Sequence, residues 1–147
     1  MSGRRARPPR VLEIPREIHD AMVAHCVYDA PLECCGLLGG VFPEVSLFYP
    51  LANAAASETY YDADPRDLIR AVQDLRAREA EILAIYHSHP RWQAVPSQTD
   101  LATNHYGDVP RVIVSLLTDP PDVRVWTLSA DRYEPVPWRI PGGAVRR

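Results

Sequence analysis

The chain has no lysine. All 16 of its basic residues are arginine, set against 19 acidic ones, for a net charge of -3 over 147 residues. That balance gives no electrostatic case for nucleic acid or an anionic membrane as the main partner. No apolar run approaches the length that spans a bilayer. The basic start, residues 1–10, lacks the apolar segment of a secretory signal and reads as a flexible arm, so the expected location is the cytoplasm. Cysteine is scarce: Cys26, Cys34 and Cys35. An odd count with an adjacent pair is no disulfide framework and suits a reducing compartment. The lack of paired C-x-x-C motifs argues against a thiolate-based structural zinc site.

What is present suffices for one domain, expected over residues 11–140 and followed by a short tail, 141–147. Hydrophobic residues make up 46% of the chain, enough for a core. Residues 15–29 read as a helix, with Pro15 in its first turn and Ile18, Ala21, Met22 and Cys26 at helical spacing; Pro31 ends it. The run CGLLGG reads as a buried strand, with Gly39 and Gly40 forming a turn before a second strand over 45–51. Asp64-Pro65 starts a helix with Leu68, Ile69, Val72 and Leu75 on its apolar face. Residues 81–89, EILAIYHSH, make an apolar strand with a polar end. Ser97 opens a short helix stopping near Gly107. Residues 111–117 and 123–129 are strands about a TDPPD turn, and 133–138 adds an edge segment. The mixture predicts an α/β sandwich around a mixed sheet.

The chemistry lies in His87-Ser88-His89-Pro90-Arg91-Trp92-Gln93-Ala94-Val95-Pro96-Ser97-Gln98-Thr99-Asp100. His87 and His89 are two apart at a strand end, so both imidazoles project to one face. Asp100 can add a carboxylate from the next helix. Two His and one carboxylate, with the fourth position left to water, make a common catalytic zinc set. Zinc brings the pKa of its water to about 7. A carboxylate that is not a ligand can then take the water proton; Glu33, just before a buried strand, suits that role. A fixed hydroxyl such as Ser97 can donate to the developing oxyanion.

An upstream Glu followed by H-x-H, seven residues, S, two residues and D resembles the JAMM, or MPN-plus, metalloprotease family. Here the positions are Glu33, His87, His89, Ser97 and Asp100, and E-C-C-G-L-L-G resembles the family's E-x-C-G-hydrophobic run. The resemblance runs from the first helix to about Trp126. It implies the MPN (cytidine-deaminase-like) sandwich, with a curved mixed sheet flanked by helices. It also implies one Zn2+ per chain on His87, His89 and Asp100, Glu33 as general acid/base and Ser97 as oxyanion stabiliser. The segments AMVAHCVYDAPLECCGLLGG, PLANAAASETYYDADP and IYHSHPRWQAVPSQTDLAT are similar to small bacterial members that release cysteine from a ubiquitin-like sulfur-carrier protein. The implied partner is the Gly-Gly tail of such a carrier; a homodimer is compatible. The alternatives are an isopeptidase acting on ubiquitin-like conjugates and a non-catalytic MPN scaffold, the latter disfavoured because all five residues are kept.

Each residue also has a structural reading. Ser97 and Asp100 fit a capping box, a role that partly competes with metal binding. His87 and His89 fit a solvated strand end, and Glu33 an exposed carboxylate. A thiol nucleophile at Cys34 or Cys35 lacks a nearby base in the sequence. His19, His25 and His105 read as surface or packing residues. Trp92 sits where it could shield a metal, touch substrate or anchor its loop, and Asn53 could hold backbone near the site.

Overall fold

The computed structural model describes residues 10–147. The expected arm over residues 1–10, apart from Arg10, lies outside the described residues. In chain order the elements are β1 (Leu12–Glu13), α1 (Arg16–Asp29), β2 (Cys35–Val41), β3 (Glu44–Leu51), α2 (Pro65–Ala77), β4 (Glu81–His89), α3 (Gln98–Ala102), β5 (Arg111–Ser115), β6 (Asp122–Leu128), β7 (Tyr133–Pro135) and β8 (Trp138–Arg139). The strands form one mixed sheet in the order β7-β6-β5-β4-β2-β3-β1-β8. β4 lies inside it, antiparallel to β2 and parallel to β5.

β2 and β4 are apolar along nearly their whole length because both faces of the sheet are covered. Successive side chains alternate faces. Leu38, Ala84 and Tyr86 pack with Met22 and Cys26 of α1. Leu37 and Ile85 pack on the other face with Ala71 and Leu68 of α2. Each such fully buried aliphatic side chain contributes about 1.5–3 kcal/mol relative to exposure. Asp64 caps α2 by accepting from the Arg66 and Asp67 N–H groups at 2.9 and 3.1 Å. Asp67 in turn accepts from the Ala52 N–H at 2.9 Å, which ties α2 to the chain leaving β3.

Three expectations need correcting. Gly39 and Gly40 form no turn; they lie inside β2, at a register irregularity. A Cβ on Gly39 would come within 2.4 Å of Leu75 on α2, and one on Gly40 within 2.3 Å of the Glu44 carbonyl. These glycines are present for close approach, and the chain reverses after them. α3 ends at Ala102, well short of Gly107. Thr103 bonds back to the Thr99 carbonyl, and the Asn104 side chain is drawn to the buried guanidinium of Arg111 at 2.5 Å. Finally, residues 133–138 do not make one edge segment. β7 and β8 sit at opposite ends of the strand order with two residues between them. Those two residues bridge the edges: the Val136 N–H donates to Val125 of β6, and the Pro137 carbonyl accepts from Leu12 of β1. The sheet is therefore curled until its ends nearly meet.

Candidate active site

The carboxyl end of β4 carries the site. His87 and His89 follow Ile85 on the α2 side of the sheet, and Tyr86 and Ser88 point to the α1 side. Asp100 comes from α3, whose N-terminus points its first turn at the two imidazoles. Asp100 Oδ1 lies 3.2 Å from His87 Nε2, and its Oδ2 lies 3.2 Å from His89 Nε2. The two Nε2 atoms are themselves 3.2 Å apart. All three residues are buried, so the solvated-strand-end reading of the histidines does not hold.

The donor set fits a cation. The Gln93 carbonyl, an acceptor only, sits 2.6 Å from His89 Nδ1, so that nitrogen carries the proton and Nε2 is left with a lone pair. His89 Nε2, His87 Nε2 and the carboxylate of Asp100 then face one another across one small volume. Nitrogen and oxygen ligands held tetrahedrally by zinc are separated by roughly 3.3 Å, close to the spacing seen. Burial opposes charge on Asp100, but His87, His89 and the Ser97 N–H together hold its carboxyl far below the usual range. Burial likewise lowers His89, and Asp100 and the Gln93 carbonyl outweigh it and raise it.

Glu33 precedes β2, and β2 pairs Cys35 with His87, which brings the carboxylate to the same cleft. The residue is 4% exposed and its Oε1 has no hydrogen-bond partner. Burial pushes its pKa up to about 8, against a smaller lowering by His89. A carboxyl of that affinity can exchange protons near neutrality. The cleft, about 370 Å³, is lined by Glu33, His89 and Ser97, with Trp92, Arg91 and Glu58 at its wall.

Ser97 and Asp100 do form a capping box: the Asp100 N–H donates to Ser97 Oγ at 3.0 Å, and the Ser97 N–H donates to Asp100 Oδ2 at 2.8 Å. The cap and the contacts with the imidazoles coexist: Oδ2 accepts from the Ser97 N–H and also faces His89, while Oδ1 faces His87. Ser97 Oγ uses an acceptor site for the cap, and its own O–H stays free to donate.

Asn53 has the role of a staple. Its amide donates to the Glu33 carbonyl at 3.0 Å and to the Tyr60 carbonyl at 3.1 Å, and its oxygen accepts from the Ala55 and Asp62 N–H groups. It holds the Glu33 backbone against the β3–α2 loop. Tyr61 from the same loop stacks on His87 at 4.8 Å, a contact with no signal in the sequence. The Trp92 ring stands 5.5 Å from that of His89, and its carbonyl accepts from Ser115. It is both a loop anchor and part of the cleft wall. Cys35 is fully buried beside Leu51 and faces no base.

Residues 15–129 match the family described as prokaryotic homologs of the JAB domain. The chain belongs to that family. This JAB domain is 34% identical over 139 residues to the CysO-cysteine peptidase of Mycobacterium tuberculosis, covering 92% of this chain and 86% of that one. It is 41% identical over 92 residues to a probable TtuB-protein conjugate cleaving protease of Thermus thermophilus, covering 62% of each chain. A solution structure of a protein from Desulfitobacterium hafniense superposes with a TM-score of 0.81 at 28% identity, covering 88% of this chain and 92% of that one. The MPN-type architecture expected from the resemblance is the fold of the JAB domain observed here. Among the described residues, no helix is long and apolar enough to cross a membrane.

Proposed function

We propose that this JAB domain is a zinc-dependent peptidase. Its substrate is the amide bond after the C-terminal Gly-Gly tail of a ubiquitin-like sulfur-carrier protein, and it releases cysteine or a similar adduct. The observation that carries the reading is the meeting of His87, His89 and Asp100 beside an unpaired, buried Glu33 in one cleft. The name of the mycobacterial relative, a CysO-cysteine peptidase, supports the same chemistry.

His87, His89 and Asp100 hold the metal. Bound there, zinc supplies Lewis-acid polarisation of the scissile carbonyl and a water of lowered pKa. Glu33 takes the proton of the attacking water on its carboxylate and delivers it to the leaving amine, a cycle suited to a pKa near working pH. The Ser97 hydroxyl donates to the oxygen of the attacked carbonyl as negative charge builds there. Asn53 keeps the Glu33 main chain in place. The substrate tail lies extended along the cleft, where main-chain pairing can hold glycines that offer no side chains.

The test is mass spectrometry of a Gly-Gly-ended carrier bearing an amide-linked cysteine, before and after incubation with the zinc-loaded protein. Loss of one cysteine residue from the carrier is the expected result. An intact adduct in the presence of stoichiometric zinc would sink the substrate assignment. The Thermus relative, named as a conjugate-cleaving protease, favours a second reading: an isopeptidase acting on ubiquitin-like conjugates. Incubating such a conjugate in parallel separates the two, because only this second activity would free the modified protein.

A further inference from the structure

The face of β4 opposite the active site carries a second convergence. There Tyr86 and Ser88 meet the C-terminal turn of α1 and the chain entering β2. His25 Nε2 lies 3.2 Å from Asp29 Oδ2, one helical turn apart. Cys34 Sγ completes a group whose ligand atoms all fall within 4.8 Å of one another. Cys26 Sγ is 3.2 Å from Cys34 Sγ. We propose that His25, Asp29 and Cys34, with Cys26 packed beside the cysteine ligand, form a second metal site, taking zinc or a similarly thiophilic divalent cation in a structural role.

The donors are one imidazole, one carboxylate and one thiol, three protein ligands of a four-coordinate site. The imidazole is oriented as a ligand needs. Its Nδ1 stands 2.6 Å from Tyr86 Oη, a contact that fixes the ring with Nε2 facing Asp29. Cys34 is fixed from both sides: its N–H donates to Ser88 Oγ at 2.9 Å, and its carbonyl accepts from the Ser88 N–H at 3.1 Å. The Cys26 thiol, with help from His25, lowers the Cys34 thiol against burial, the direction that favours a metal-binding sulfur. Both thiols are fully buried, while the His25 and Asp29 side chains are 16% and 29% exposed. A cation can enter past the carboxylate, and the Cys34 thiol proton leaves as it binds. The same burial excludes the thiol-nucleophile reading of Cys34, since no substrate carbonyl could reach its sulfur even with His25 as a base.

Buried thiols beside an i,i+4 His–Asp pair could be ordinary packing. Packing, however, does not require an imidazole nitrogen, a carboxylate oxygen and a sulfur to share one centre. The consequence is positional: the ion would tie the end of α1 to the residue next to Glu33. The site is independent of the proposed catalytic centre, and the test keeps the two apart.

Untagged, chelator-stripped protein is titrated with Co2+ under reductant. His87, His89 and Asp100 offer only nitrogen and oxygen, so a sulfur-to-cobalt charge-transfer band reports the second site alone. The band is expected in wild type, His87→Ala and Cys35→Ser, saturating at one equivalent in His87→Ala, and is expected to be lost in Cys34→Ser. Zinc counted by atomic emission should be two per chain in wild type and one in His87→Ala. No sulfur band in wild type, a band that survives Cys34→Ser, or one that vanishes with Cys35→Ser, each overturns the proposal. Wild type and His87→Ala suffice to decide it even if Cys34→Ser does not fold.

Discussion

Replacing Glu33 with glutamine should remove a pH-dependent load on the fold. The carboxyl is buried with an unpaired Oε1, and its pKa stands at about 8 against an ordinary 4.5. Between those values the unfolded chain has lost this proton and the folded chain still holds it. Wild type is therefore favoured most below pH 4.5, loses stability as pH rises through that window, and levels off above pH 8. At about 1.4 kcal/mol per unit, the loss reaches about 3 kcal/mol at pH 7 and about 5 kcal/mol above pH 8. Glutamine does not titrate. Its buried amide brings its own cost of about 1–3 kcal/mol if unpaired, but that cost does not change with pH. The diagnostic quantity is thus the slope of the difference, not its absolute size. Urea unfolding of chelator-treated wild type and Glu33→Gln, followed by tryptophan fluorescence from pH 5 to 8.5, measures it. The chelator matters because a bound cation would itself stabilise the ionised carboxylate. Stability curves that run parallel for the two proteins would refute the argument.

Further outcomes follow from the same geometry. Glu33→Gln should retain zinc at the catalytic centre and lose turnover; a fully active variant would remove Glu33 from the mechanism. Ser97→Ala should lower kcat by about 10²–10³ through loss of the oxyanion donor, and should cost about 1 kcal/mol in urea unfolding through loss of the α3 cap; an effect on stability alone would leave Ser97 only the cap. His87→Ala should abolish metal binding at the catalytic centre, read by equilibrium dialysis with zinc, and retention of the wild-type stoichiometry there would reject the ligand set. Gly36→Ala places a Cβ 2.2 Å from the Tyr86 ring; overpacking of this kind costs about 1–3 kcal/mol, so the urea midpoint should fall. An unchanged midpoint would mean the ring has room to move.

What could be read from the sequence depended on whether the cooperating residues share an element. His87 and His89 declare themselves because strand alternation fixes their relation, and Ser97 and Asp100 because a helix cap fixes theirs; β4 runs over the residues expected. Glu33 is different. Nothing near it in the chain points to the imidazoles, and only the family pattern linked them, since the link is made by the pairing of Cys35 with His87 across β2 and β4. Asn53 and Tyr61 come from a loop without periodicity, and their contacts to the Glu33 carbonyl and the His87 ring exist only once β3 and α2 have set that loop over the site. Gly39-Gly40 misleads for a related reason: a glycine pair is a local turn signal, but the demand for bare backbone comes from Leu75 of α2 at Gly39 and from the Glu44 carbonyl of β3 at Gly40. The His25–Cys34 cluster is the extreme case. A search for C-x-x-C passes over it, because its donors come from a helix end and a strand entry and are brought together against Tyr86 and Ser88 of β4. A metal set held within one strand and its following helix leaves a spacing in the chain; one assembled by the packing of separate elements leaves none, and has to be sought in three dimensions.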